Sequence, residues 1–254
     1  MAAKKILIVG NWKMYVETPE EAKKFAAGLR RKAGVFGAEL HITPPFTLLP
    51  VLATAFKNSS IKIGAQYVSP YNDQKRTGEV SAAMVKAAGA NFTLVGHSER
   101  RGMGETNTIV RAELEKALAA GLTAVLCIGE SERDPAGAYL SVITEQISSA
   151  LDGLELKPGR LMVAYEPVWA IGKSAQDALG ASELREMSIF IKKTLAEHML
   201  RALALKVPIL YGGSVEAGNA RLLIDEGDVS GLLVGHASAQ LEPLVDILKM
   251  LARK

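Results

Sequence analysis

Glu166 closes the apolar run LMVAY and is followed by Pro167. The proline restricts the backbone of residue 166 to extended geometry, so the carboxylate is held in one place. Trp169, Ala170 and Ile171 come next and end at Gly172, a stretch suited to a lid that closes over a site and excludes water. A carboxylate shielded in this way loses hydration of its charged form and becomes a stronger base. The same residues admit a plainer reading, with Glu166 as a salt-bridge partner and the loop as a packing patch.

His97, in VGHSERR at 95–101, stands where an apolar run turns into a helical one. Free backbone N–H groups and the helix dipole disfavour an added positive charge there, so a neutral imidazole would act as a hydrogen-bond donor. An isolated GHS can also be a histidine that merely caps or packs its turn. NWKM at 11–14 puts Asn11 and Lys13 directly after the first apolar run, where a lysine by itself would simply be solvated. YGGSV at 211–215 and GHAS at 235–238 offer closely spaced N–H groups that glycine allows near a phosphate, although any tight turn uses glycine. Each motif is weak alone and gains from its position.

Position follows from the elements. Short, predominantly apolar runs occur at 6–9, 39–43, 61–65, 92–96, 123–129, 161–165, 207–211 and 230–235, as expected of parallel strands covered on both faces. Between them lie segments with apolar residues every three or four positions, such as 20–33, 108–121 and 182–200. Strand, helix and strand repeating at roughly thirty residues predict an α/β protein built as a single (β/α)8 barrel, one domain over 1–254. No GxGxxG follows the first strand, which argues against an open doubly wound sheet. In such a barrel the chemistry sits where strands end, and the residues at those ends are Asn11 and Lys13, Gln66, His97 with Glu99, Glu130, Glu166, Tyr211 with Ser214, and Gly235 with His236. Loops after the seventh and eighth strands are the usual phosphate site of the fold.

Composition narrows the classes. Of 254 residues 48% are hydrophobic and 22% charged, with a formal net charge of +3, enough apolar side chain for a large core and no sign of global disorder. Lysines and arginines are interleaved with acids, so no nucleic-acid partner is expected. The sole cysteine, Cys127, cannot form an intramolecular disulfide and fits a reducing compartment. The first apolar run is too short for a signal peptide and no stretch could span a bilayer, so a cytoplasmic protein without membrane partners is expected.

NWKM, GHSERR, CIGE, AYEPVWAIG, YGGSV and LVG, in this order at the ends of successive strands, resemble the signature of the triosephosphate isomerase family. The resemblance covers strands one and three to eight. It implies a TIM barrel that interconverts glyceraldehyde 3-phosphate and dihydroxyacetone phosphate in glycolysis and gluconeogenesis, using neither metal nor organic cofactor. Glu166 would be the base that removes a proton beside a carbonyl, and His97 the neutral electrophile that polarises that carbonyl. Lys13 would supply fixed positive charge, Asn11 a further hydrogen bond, and Glu99 support beside His97. Cys127 would pack beside Glu166. Substrate phosphate would lie on the N–H groups of Gly172, Ser214, Gly235 and His236. The TGE in the 71–81 loop implies a homodimer in which that loop enters a neighbouring subunit near Asn11 and Lys13. Two other readings are an isomerase of another small phosphosugar and a weakly active phosphometabolite-binding relative.

The chain departs from the family pattern in four places. Gly172 is followed by Lys173, Ser174, Ala175 and Gln176, as though two lid residues were missing. His236 replaces the second glycine of LVGGAS, and its side chain must find room. Tyr15 stands where asparagine is usual and carries little functional weight. Lys75 and Arg76 replace smaller or apolar neighbours in the dimer loop.

Overall fold

The computed structural model describes residues 6–32, 37–71, 73–172 and 179–252. Its strands are β1 (Ile6–Asn11), β2 (Ala38–Thr43), β3 (Lys62–Ala65), β4 (Phe92–Val95), β5 (Thr123–Ile128), β6 (Leu161–Tyr165), β7 (Ile209–Tyr211) and β8 (Gly231–Val234). They pair in parallel in sequence order, and β8 closes on β1 with Leu7 opposite Gly231. Closure demands glycine at that point, because a Cβ on Gly231 would stand 1.9 Å from the Leu7 carbonyl oxygen. The sequence places every strand correctly and differs only at the ends. β7 begins at Ile209 rather than at 207, since Pro208 has no N–H to give to a ladder.

Outside the barrel run α1 (Pro19–Lys32), α2 (Leu49–Ala55), α3 (Ala82–Ala87), α4 (Ser98–Gly102), α5 (Asn107–Ala119), α6 (Ala138–Leu151), α7 (Ala181–His198), α8 (Arg201–Ala204), α9 (Ala217–Glu226) and α10 (Leu241–Leu251). The expected helix over 182–200 ends earlier, at His198, because Met199 is extended (φ −152°, ψ 169°) and the chain restarts as α8. Among the described residues no helix is long and apolar enough to cross a membrane.

Two apolar cores result. One fills the barrel itself with Leu7, Val9, Phe92, Leu94, Val125 and Leu210 among others. The larger one lies between strands and helices and holds Ile8, Trp12, Leu29, Leu114, Ile147, Ile191 and Leu248. Strand residues alternate between the two, which explains why the runs read as predominantly apolar without a polar face. The side chains that reach solvent are therefore confined to the strand ends.

One buried polar cluster lies behind the barrel wall. Glu113 of α5 is 1% exposed, and burial, then the charge of neighbouring Glu105, pushes its carboxyl up to about 9. Glu105 itself is paired with Arg100, whose guanidinium lies 4.1 Å from the centre of the Tyr67 ring. Unfolded, Glu113 releases its proton near the ordinary carboxylate value; folded, it keeps that proton to about 9. The native state therefore binds more protons across this window, and stability falls as pH rises through it. Glu113→Gln should remove that loss. Urea unfolding should show little difference between the variant and the parent at pH 4, and a gap of at least about 1 kcal/mol at pH 9. Equal gaps at both pH values would contradict the assignment.

Candidate active site

The parallel strands deliver their C-terminal ends to one mouth, and there a cavity of about 340 Å³ is lined by Asn11, Lys13, His97, Glu166, Gly213 and Gly235, among others. That volume suits a small metabolite. Residues from β1, β4, β6, β7 and β8 thus meet around one space, although Asn11 and Glu166 are 155 positions apart in the chain.

His97 caps α4 with its ring, Nδ1 accepting the backbone N–H of Glu99 at 3.2 Å. A nitrogen that accepts carries no proton, so the neutral ring has its hydrogen on Nε2. Nε2 points into the cavity, 3.2 Å from Glu166 Oε1. The amide nitrogen of Asn11 stands 3.3 Å from the same Nε2. Both groups are donors, so they converge on a common point rather than satisfy one another. That point is suited to an oxygen that gains negative charge.

Glu166 is 2% exposed, and its second oxygen accepts the Ser98 N–H at 2.9 Å. Its carboxylate is therefore oriented from both sides. Lys13 adopts φ +45°, a left-handed conformation that costs a β-carbon-bearing residue roughly 1–2 kcal/mol. The conformation is held by Asn11 Oδ1, which accepts the Lys13 N–H at 3.1 Å, and by the Gln66 amide, which donates to the Lys13 carbonyl at 2.9 Å. From there Lys13 Nζ reaches Glu99 Oε1 at 2.5 Å while lining the cavity. Cys127 is buried next to Glu166, and burial followed by that charge pushes its thiol well up, leaving it a neutral packing group.

Glu130 and Gln146 carry functions that sequence reasoning did not assign. Buried Glu130 accepts both the Tyr165 hydroxyl and the Trp169 indole N–H, each at 2.8 Å, and so anchors the start of the apolar loop. The Gln146 amide of α6 clamps the Gly129 peptide on both sides, donating to its carbonyl at 3.0 Å and accepting its N–H at 2.8 Å. Glu130 stands at a strand end within CIGE, which marks the position but not its partners, and a buried glutamine on a helix gives no sequence signal.

The residue pattern and this geometry coincide with a known family. The triosephosphate isomerase family model matches residues 6–251.

The chain belongs to the triosephosphate isomerase family. Triosephosphate isomerase of Protochlamydia amoebophila is 41% identical over 248 residues, covering 96% of this chain and 92% of that protein. The Thermus thermophilus enzyme is 38% identical over 250 residues, covering 97% and 99%. A crystal structure of triosephosphate isomerase from Bartonella henselae superposes with a TM-score of 0.85 at 33% identity, covering 98% of this chain and 100% of that one. As a member of the triosephosphate isomerase family, the chain is an isomerase.

The four expected phosphate contacts are distributed unevenly around the mouth. Gly235 lines the cavity, together with Gly212 and Gly213, the glycine pair of YGGSV. Ser214 turns its hydroxyl to the Ala170 carbonyl at 3.2 Å, joining the loop after β7 to the apolar loop. Gly172 is exposed at φ +76°. His236 is exposed too, so its ring finds room outside the cavity. The altered lid segment, Lys173 to Gln176, lies outside the described residues.

Gly129 shows how tightly the base is packed. A Cβ there would meet the Glu166 carbonyl oxygen at 1.8 Å, so any larger residue must push residue 166 out of place. Gly129→Ala should therefore lower kcat by about 10²-fold, the cost of misplacing a reacting group by about 1 Å. The variant should also unfold at lower temperature in a thermal melt. Wild-type kcat in a folded variant would show that the backbone at 166 has slack.

Proposed function

We propose that this chain interconverts glyceraldehyde 3-phosphate and dihydroxyacetone phosphate by carrying one proton between adjacent carbons through an enediolate. The observation that carries the reading is Glu166 Oε1 facing His97 Nε2 at 3.2 Å across a cavity that also holds Lys13. Glu166 takes the proton from the carbon beside the carbonyl. The resulting negative charge on oxygen is met by the Nε2–H of His97, the amide of Asn11 and the ammonium of Lys13, with Glu99 holding the ammonium in position. His97 exchanges a proton between the two oxygens, Glu166 returns its own to the neighbouring carbon, and the balance closes without any other reactant.

A positioned base contributes roughly 10²–10⁴ in rate, and efficient enzymes reach at least about 10⁶. The preorganised donors must therefore supply the rest. Phosphate is held by backbone N–H groups of Gly172, Ser214, Gly235 and His236, and closure of the apolar loop carries Gly172 inward. Neither metal nor organic cofactor takes part.

The reading extends to a cytoplasmic homodimer acting in glycolysis and gluconeogenesis. A second cavity of about 480 Å³ adjoins the first, with Met14, Tyr15, Phe46, Tyr67 and Met103 in its walls. Met14 and Met103 are 85% and 77% exposed, an apolar patch that favours cover by another chain. We assign that cover to the 71–81 loop of a second copy. An assay that couples conversion of glyceraldehyde 3-phosphate to reduction of dihydroxyacetone phosphate tests the function. Turnover of this pair supports it, and binding without turnover, or turnover of a different phosphosugar only, overturns it.

A further inference from the structure

Two of the departures from the family pattern meet in space. The rings of Tyr15 and His236 lie 4.7 Å apart between centroids, tilted by 59°, within the range where aromatic pairs attract. The Gln240 side-chain amide lies 3.1 Å from His236 Nε2, so the imidazole is held from two directions. Tyr15 follows Lys13 by two residues, and its N–H bonds to the Trp12 carbonyl at 2.9 Å. His236 follows Gly235, whose Cβ position lies 3.7 Å from Lys13 Cε. The ring pair therefore crosses from the loop bearing the ammonium to the loop bearing the phosphate N–H groups.

We infer that Tyr15 and His236 form a brace that fixes the loop after β8 against the loop after β1, so that Tyr15 is a positioning residue for substrate phosphate. The physical reason lies in backbone entropy. A glycine at 236 would leave its peptide free to sample many conformations, and binding an anion would have to order it. A histidine at that position, anchored by Tyr15 and Gln240, restricts the peptide before substrate arrives. Its backbone is not in the left-handed region, so the larger residue adds no strain. Tyr15, which had carried little weight, thus supports a contact made by its neighbour's backbone. The inference rests on the phosphate assignment made above for His236.

The test separates phosphate binding from catalysis and folding. Titration calorimetry with glycerol 3-phosphate, a three-carbon phosphate that cannot isomerise, is run on the parent, Tyr15→Ala, Tyr15→Phe, His236→Gly and the double variant Tyr15→Ala with His236→Gly. Tyr15→Ala and His236→Gly should each weaken binding by about fivefold, and the double variant by no more than either alone, as for residues acting as one unit. Tyr15→Phe keeps the ring and should bind like the parent. With the phosphate-free substrate glyceraldehyde, Tyr15→Ala should retain the parent's kcat/KM, because the brace acts on the phosphate alone. Sedimentation at assay concentration accompanies each variant, since Tyr15 also borders the second cavity. Multiplicative losses in the double variant overturn the brace, as do equal losses with and without phosphate. Absence of triose phosphate turnover in the parent would instead overturn the proposed reaction, and the calorimetry would still report on the brace.

Discussion

Glu166→Ala should lower kcat for triose phosphate isomerisation by about 10³-fold or more, the scale of a lost positioned base. KM should move by less than about threefold, because the carboxylate acts on a carbon-bound proton and contributes little to holding the phosphate. Activity should not vanish. His97, Asn11 and Lys13 would still stabilise a developing enediolate while water removes the proton, and that residual rate is the measure of electrostatic preorganisation. Glu166→Asp separates chemistry from position. It keeps the carboxylate but withdraws it by about one methylene, and displacement on the order of 1 Å costs about 10² in rate. Steady-state kinetics on both variants gives the comparison, and alanine and aspartate variants with equal kcat would show that the carboxylate does not touch the reacting proton.

His97→Asn should lower kcat by about 10²–10³-fold, the cost of removing one preorganised donor, while leaving the melting temperature nearly unchanged. The split follows from the two nitrogens of the ring. Nδ1 caps α4 by accepting the Glu99 N–H, and asparagine is among the best capping residues, its amide oxygen falling where Nδ1 was. Nε2 is the atom opposite Glu166 Oε1, and asparagine has no atom there. A variant that melts like the parent but turns over slowly thus locates the function of His97 in Nε2. His97→Gln reverses the pattern by placing an amide N–H near Nε2 and losing the cap, so it should retain more activity and less stability. If both variants lost stability and activity in proportion, His97 would be a structural residue.

The barrel was legible because its strands are buried on two faces and read as eight apolar runs. Its element ends were less so, since Pro208 and Met199 act through backbone geometry that periodicity does not encode. Asn11, Lys13, His97 and Glu166 could be found because parallel strands bring their C-terminal ends to one mouth, which makes position in the chain a proxy for position in space. The clamp of Gln146 on Gly129 could not, because nothing local in the chain distinguishes a buried glutamine that holds a peptide from one that packs. Nor could the ring contact of Tyr15 with His236, which lie 221 positions apart; each residue taken singly looked like an isolated departure. Glu130 was visible as a polar residue at a strand end, but its hold on Trp169 and Tyr165 needed coordinates.

The most direct measurement is isomerisation of glyceraldehyde 3-phosphate in D2O, followed by proton NMR of the dihydroxyacetone phosphate formed. One carboxylate working from one face of the enediolate should return a single hydron to the terminal carbon, so each product molecule carries at most one deuterium there, always on the same side. A second deuterium at that carbon, or product formed at the parent's rate by Glu166→Ala, would contradict the account.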